Sequence, residues 1–218
     1  MFVRDYMTRH PVMGDPTMSI VEAQGIMAET SVRHLPVVET GKQLVGLVTR
    51  QRMRIPPTDL ASLNVWEITR FLSNLTLQDV MVKRDAVITI EPDVALEEAA
   101  QVMTRHRIGC LPVMDGNTVI GIITEIDMMA QLTDLLGGRT PGIRATVRMP
   151  NRKGELAKLI GAIADNGWGI YASGGVQTPK DPSHWDCVIK VRNVPQAELV
   201  AVLERIEGQK LIDVRQQH

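Results

Sequence analysis

Apolar and polar positions change period three times between residues 86 and 136. Ala86–Ile90 alternates, which predicts a short strand. Asp93 then stands where a helix cap belongs, and Val94, Ala95, Ala99, Val102 and Met103 recur behind it at helical spacing. Leu111–Met114 and Val119–Ile123 are apolar, β-rich runs separated by Asp115-Gly116-Asn117, which predicts a hairpin. Ile126–Leu136 returns to helical spacing as a closing helix. The unit reads β-α-β-β-α.

It occurs twice. Asp5-Tyr-Met7 recurs as Asp79-Val-Met81, His34-Leu-Pro-Val37 as Cys110-Leu-Pro-Val113, and Val45-Gly-Leu-Val-Thr49 as Ile120-Gly-Ile-Ile-Thr124. The offsets are 74, 76 and 75 residues in the same order, the mark of a duplication. The copies span about Phe2–Arg54 and Leu77–Thr133, and a unit so small is expected to bury its sheet face against its twin. Between them, Ile55–Thr76 opens on Pro56-Pro57. Asn64-Val-Trp-Glu67 then has helix-capping spacing, with Ile68, Leu72 and Leu75 as an apolar stripe. A helix lying against the module is expected there.

Gly137-Gly-Arg-Thr-Pro-Gly142 is a linker by composition, and the pattern changes after it. Arg144–Met149, Ile170–Gln177, Cys187–Val191 and Leu211–Val214 read as strands, with helices over Gly154–Asn166 and Gln196–Glu207. The order β-α-β-β-α-β predicts a ferredoxin-like sandwich, two helices on one face of an antiparallel sheet. The expected fold class is α/β (α+β). Its parts are repeats at 1–54 and 77–136, an insert at 55–76, a linker at 137–142 and a C-terminal domain at 143–218.

Composition removes several function classes. Lys and Arg total 24 against 25 Asp and Glu, so no electrostatic case exists for nucleic acid or an anionic membrane as the main partner. Aromatics are only 3%, which leaves the core to Val, Ile, Leu, Met and Ala. Cys110 and Cys187 supply neither a disulfide framework nor a four-ligand zinc set. No apolar run approaches the ~20 residues that span a bilayer. Met1–Pro11 carries charges where a signal peptide is apolar, so a cytoplasmic protein is expected. His10, His34, His106, His184 and His218 fall in no H-E-x-x-H frame, and no G-x-S-x-G or phosphate-loop motif occurs. No metal site and no enzyme activity are expected.

The repeated unit resembles a cystathionine-β-synthase (CBS) domain, through Met7 and Met81, Leu-Pro-Val at 35–37 and 111–113, and the frame Gly121, Thr124, Asp127. Paired CBS domains form a Bateman module, which binds adenosine-containing ligands. The C-terminal part resembles an ACT domain in element order and in Asn151-Arg-Lys-Gly154-Glu-Leu156. With the insert Pro57–Leu72, the whole chain resembles the acetoin-utilisation (AcuB) type. That resemblance implies a regulatory protein: an adenine nucleotide (AMP, ADP, ATP or a related adenosine ligand) as regulatory ligand, a homodimer, and a regulated partner protein.

Candidate chemistry centres on Thr124 and Asp127. A strand ends and a helix begins there, so Thr124 suits an N-cap with free N–H groups nearby, a setting that favours phosphate. Asp127 accepts two hydrogen bonds, matching the vicinal hydroxyls of a ribose. Plain capping, with Asp127 favouring the helix dipole, fits the same residues. The first copy keeps Thr49 but carries Arg52 where the second has Asp127, and a guanidinium accepts nothing. One adenosine site is therefore expected, not two. Sites in CBS pairs are crossed, so the resemblance directs Ile122, Thr124 and Asp127 toward Val12, Val32, Arg33 and His34. Val32 would flank the adenine, and Arg33 and His34 would meet phosphates.

His34 also reads as a surface histidine before a strand. The second cleft, of Thr49, Arg52, Ile108, Gly109 and Cys110, is expected to be degenerate, with Cys110 a packing residue. Arg50, Arg52 and Arg54 read as a solvated helix face. In the ACT-like part, Asn151, Gly154, Glu155 and Leu156 form a possible amino-acid site, although Asn151 and Lys153 replace the family's usual Asp and Pro. Dimerisation or docking alone is the alternative there, and Trp168 is an interface anchor or a helix-end cap. Three readings follow: an adenine-nucleotide sensor, a constitutive scaffold with a vestigial cleft, and an amino-acid sensor.

Overall fold

In the computed structural model, which describes residues 1–54, 64, 66, 67 and 74–217, the opening turn of each repeat is built into the other repeat. The first repeat runs α1 (Val3–Tyr6), β1 (Thr8–Arg9), α2 (Ile20–Glu29), β2 (His34–Glu39) and β3 (Gln43–Thr49). The second runs α3 (Leu77–Val80), β4 (Val82–Lys83), α4 (Leu96–His106), β5 (Cys110–Asp115), β6 (Thr118–Thr124) and α5 (Glu125–Leu135). Yet Val3 N donates to Val94 O at 2.9 Å, and β1 pairs with β6, Thr8 opposite Ile122. Symmetrically, Leu77 N donates to Met18 O at 2.9 Å, and β4 pairs with β3, Val82 opposite Leu47.

The core shows why. Val3 and Met7 complete a cluster with Leu96, Ala99, Met103, Leu111, Val113 and Ile123, while Leu77 completes Ile20, Ala23, Met27, Leu35, Val37 and Val48. A third cluster, including Leu44, Leu47, Val87, Cys110, Val119 and Ile122, draws on both repeats. The repeat anchors serve the same exchange. Met7 lies against Gly121 and Met81 against Gly46, so a Cβ on either glycine would overlap the methionine sulfur. The methionine and glycine anchors are one contact, made twice.

Several local expectations are corrected. Ala86–Ile90 is not a strand: Arg84–Ala86 forms a 3-10 turn, and only Ile90 pairs, in a parallel bridge to Val113. Asp93 does not cap α4, whose N-cap is Ala95; the Asp93 carboxylate is taken instead by Arg4 of the exchanged segment. Among the described residues, a closing helix follows only the second hairpin. After β3 the chain makes turns over residues 50–53, Arg52 N donating to Thr49 O at 3.0 Å, so Arg50, Arg52 and Arg54 do not form a helix face. In the insert, Asn64 N donates to Glu67 Oε2 (2.8 Å) and Glu67 N to Asn64 Oδ1 (3.0 Å), the reciprocal pair its spacing implies. The rest of the expected insert helix, and its packing, lie outside the described residues.

The chain divides into two compact units, Met1–Met128 and Met129–His218. The second contains β7 (Gly142–Pro150), α6 (Glu155–Ala164), β8 (Gly169–Gln177), β9 (His184–Arg192), α7 (Gln196–Leu203) and β10 (Lys210–Gln217). Its sheet order β10-β7-β9-β8, antiparallel throughout, is ferredoxin-like. Ile143, Ala145, Val147 and Met149 face Leu159, Ile163, Leu199 and Leu203. The other sheet face is polar. Arg148 grips Asp186 through two bonds of 2.7 and 2.9 Å, and Arg144 reaches Asp213 at 3.2 Å. Lys190 is buried there, its Nζ donating to Gly137 O at 2.9 Å and Gln217 Oε1 at 2.6 Å, and burial pushes its pKa down.

Candidate functional site

β6 delivers Thr124 to the start of α5. Thr124 N and Oγ1 both donate to Asp127 Oδ2 at 2.7 Å, and Asp127 N returns to Thr124 Oγ1 at 3.4 Å. This is a capping box closed by an aspartate. It occupies one carboxylate oxygen; Oδ1 takes no hydrogen bond among the described residues. The β1–β6 pairing places the chain leading to Val12 beside Ile122, with His10 N donating to Ile120 O at 3.4 Å. Val12 and Val32 both pack, half-buried, against the cluster containing Leu35 and Val48. No hydrogen bond among the described residues joins Asp127 to Val32, Arg33 or His34.

His34 looks across to the other repeat. Its Nε2 lies 3.5 Å, and the Glu125 carboxylate 3.4 Å, from the point a Cβ on Gly109 would occupy. Burial pulls the His34 pKa down, Glu125 opposes, and Arg33 adds to the lowering, so the ring is neutral at pH 7. Burial, with the Glu125 charge behind it, pushes the Cys110 thiol up to about 12. Cys110 is inert packing, with no thiolate for chemistry.

A cavity of about 580 Å³ opens in the same unit. All five residues of the expected degenerate cleft, Thr49, Arg52, Ile108, Gly109 and Cys110, line it, so residues from the end of β3 in one repeat do meet the approach to β5 in the other. Arg33 and His34, assigned from the sequence to the acidic cleft, line this cavity too. Sequence reasoning missed Arg107, Leu47 and the wall formed by Val82, Val87 and Ile88. A signal existed: by the repeat offset Arg107 is the counterpart of Ser31, and both sit in the left-handed region (φ 53° and 57°) at the end of their helices.

The CBS-domain family model matches residues 3–54 and 77–134. The chain belongs to the CBS-domain family. Its pair is similar in structure to a Vibrio cholerae protein assigned to the acetoin-utilization type AcuB, at 32% identity and a TM-score of 0.52, over 64% of this chain and 95% of that one. The CBS pair of protein MJ0100, solved with 5′-methylthioadenosine and S-adenosyl-L-methionine, is similar at 26% identity and a TM-score of 0.50, over 64% of this chain and 98% of that one. Among curated relatives, L-aspartate semialdehyde sulfurtransferase of Methanocaldococcus jannaschii is 28% identical over 63% of this chain but 23% of its own length. Protein MJ1225 of the same organism, uncharacterized, is 35% identical over 58% of this chain and 45% of its own length. The chain spans less than half the length of these two relatives.

Outside the CBS pair, a second hollow of about 300 Å³ lies at the start of α6, lined by Asn151, Glu155, Leu156, Gly174, Gly175 and Trp185 among others. Gly154 serves as the α6 N-cap at φ 89°, a left-handed conformation that suits glycine. Glu155 is buried, and its Oε1 accepts from Arg152 Nε (2.8 Å) and Lys158 Nζ (3.0 Å) while Oε2 accepts from Gln209 Nε2 (3.1 Å). These donors, Arg152 first, hold its pKa at about 2 against an ordinary 4.5. Trp168 packs half-buried on the core of this unit. Because the Glu155 pKa is depressed, its contribution to stability is complete above about 4.5 and is lost as the pH falls toward about 2. Melting curves of wild type and Glu155→Gln are therefore expected to differ near neutral pH and to converge as the pH approaches 2. A gap that stays constant with pH refutes this account of Glu155.

Among the described residues, no cluster of His, Cys, Asp or Glu suits a metal ion, and no helix is long and apolar enough to cross a membrane.

Proposed function

We propose that the CBS pair is a regulatory module whose single adenosine-binding cleft uses Thr124 and Asp127 for the ribose side and Ile122, Val12 and Val32 around the adenine. One observation carries this reading: Asp127 is held by Thr124 through Oδ2 alone, which leaves Oδ1 as a positioned, charged acceptor at a helix start. The adenosine ligands of the similar MJ0100 pair support it. The ferredoxin-like unit, read as an ACT domain, passes the bound state to a partner protein. Ligand shifts such an equilibrium only by its differential affinity for two states; a tenfold preference gives about 1.4 kcal/mol of coupling.

A homodimer belongs to the same proposal, because α5 keeps Ile126, Met129, Leu132 and Leu135 exposed, and a second copy is the simplest cover for them. Thermal-shift measurements with 5′-methylthioadenosine, S-adenosylmethionine, AMP, ADP, ATP and NAD test the sensor. A ligand at a hundredfold excess over its Kd stabilises by about 2.7 kcal/mol. Stabilisation by a member of this panel is the expected result. Silence across the panel, with an intact fold, transfers the case to the constitutive scaffold.

A further inference from the structure

We propose that α5 carries the state of the Asp127 cleft into the ferredoxin-like unit, and that Lys190 is the positioning residue that latches its far end. This role of α5 rests on the reading of Asp127 as a ribose acceptor. α5 starts in the first compact unit and ends in the second, the division falling between Met128 and Met129. None of its residues is fully buried. A short helix without a buried face is marginal on its own, so its order depends on what holds its two ends. Thr124 and Asp127 close the first of them.

The second end is a Schellman cap. Gly138 N donates to Thr133 O at 2.7 Å and Gly137 N to Asp134 O at 2.9 Å, with Gly137 left-handed at φ 68°. Arg139 turns back to Asp134 at 3.2 Å, and Thr140 N donates to Gly137 O at 3.1 Å. Residues 137–140, a linker by composition, are therefore an ordered helix end, and that end is seated on the sheet. Lys190 of β9, 1% exposed, donates from Nζ to the same Gly137 O at 2.9 Å. Leu136 lies over β8, where a Cβ on Gly174 would come within 3.0 Å of its Cδ2. A Cβ on Gly137 would lie 3.1 Å from Ala172 Cβ and 3.2 Å from both Lys190 Cδ and Tyr171 Cδ1, so the fit is close. Burying an ammonium is costly unless its charge is answered. Among the described residues Lys190 makes no ion pair, and Gln217 Oε1 takes its other bond. What answers the charge is the carbonyl end of α5, the negative end of the helix dipole. The buried cation thus ties the last turn of α5 to β9.

Amide hydrogen exchange at Leu136, Gly137 and Gly138 in the full chain tests the latch, with the start of α5 perturbed in two ways. Saturating 5′-methylthioadenosine is expected to slow these amides by about fivefold or more, the low end of an ordinary coupling. Asp127→Ala without ligand is expected to speed them, because a latched helix opens at its end only by opening along its length. In Lys190→Met both responses are expected to vanish, since the freed last turn opens on its own, while calorimetry still finds the ligand bound within about tenfold of the wild-type affinity. A lysine with a merely structural role would instead speed exchange alike in each state and leave the ratios in place. Gly137→Ala breaks the same contact from the helix side and gives the same reading if Lys190→Met does not fold. Either response, present with Lys190 and absent without it, establishes the latch. No response in wild type to either perturbation, or one of equal size in Lys190→Met, overturns it. Failure of 5′-methylthioadenosine to bind counts against the ribose reading, and the Asp127→Ala comparison then decides the latch alone.

Discussion

Asp127→Ala is expected to weaken 5′-methylthioadenosine binding by roughly tenfold to several hundredfold, the worth of one or two charge-assisted hydrogen bonds. This ligand carries no phosphate, so its affinity reports the ribose and adenine contacts without the arginines. The substitution removes both carboxylate oxygens. Loss of Oδ1 deletes the free acceptor, and loss of Oδ2 opens the capping box with Thr124. The second effect has its own signature, a fall in stability of about 0.5–2 kcal/mol without ligand. Asp127→Asn separates the two: its amide oxygen can still accept from Thr124, but the charged acceptor is gone. It should keep most of the stability and little of the affinity. Arg52→Ala should leave this ligand's affinity unchanged. Binding by Asp127→Ala within twofold of wild type removes the ribose role and leaves Asp127 a helix cap.

The second large effect concerns the exchanged segments. Gly46→Ala is expected to destabilise the CBS pair by about 1–3 kcal/mol, the usual cost of overpacking a closed core. The new Cβ meets the Met81 sulfur and lies 2.8 Å from Val82 O, and the carbonyl belongs to β4, which pairs with β3 at that point. Gly121→Ala meets the Met7 sulfur too, but the nearest backbone oxygen, Thr8 O, is 3.1 Å away. A methionine can swing aside and a strand carbonyl cannot. Urea denaturation should therefore rank Gly46→Ala as the worse of the two. Adding Met7→Ala to Gly121→Ala should recover more of the overlap penalty than adding Met81→Ala to Gly46→Ala, each measured against its methionine single variant. Wild-type stability in both glycine variants contradicts the reciprocal packing.

Legibility from the sequence followed the range of the interactions. Strand alternation such as Ile143, Ala145, Val147, Met149 is a local consequence of one buried face, and it appears unaltered in β7. Both hairpins of the repeat and the β-α-β-β-α-β order of the C-terminal unit were readable for the same reason. Readings failed where a distant residue competed. Asp93 has the right spacing for a cap, yet Arg4, brought in by the exchange of segments, takes its carboxylate. Arg50, Arg52 and Arg54 look like a helix face because their counterparts in the second repeat are helical. In the first repeat the chain turns and presents them to a cavity.

The candidate site divides in the same way. The capping geometry of Thr124 and Asp127, three residues apart, was legible because a helix start is settled within one turn. The inversion of charge at Arg52 was legible by simple alignment of the repeats. Where Arg33, His34 and Arg107 converge was not, since that depends on which repeat's strands lie beside which.

The sequence by itself determined a duplicated unit, its hairpins, the ferredoxin-like order that follows, and the residues able to accept or donate at each cleft, all set by periodicity and side-chain chemistry within a few residues. Only the tertiary structure decided that each repeat lends its first turn to the other, and that five arginines share one hollow. Those outcomes rest on packing between segments far apart in the sequence, where the burial of Val3, Met7 and Leu77 is satisfied only across the pair.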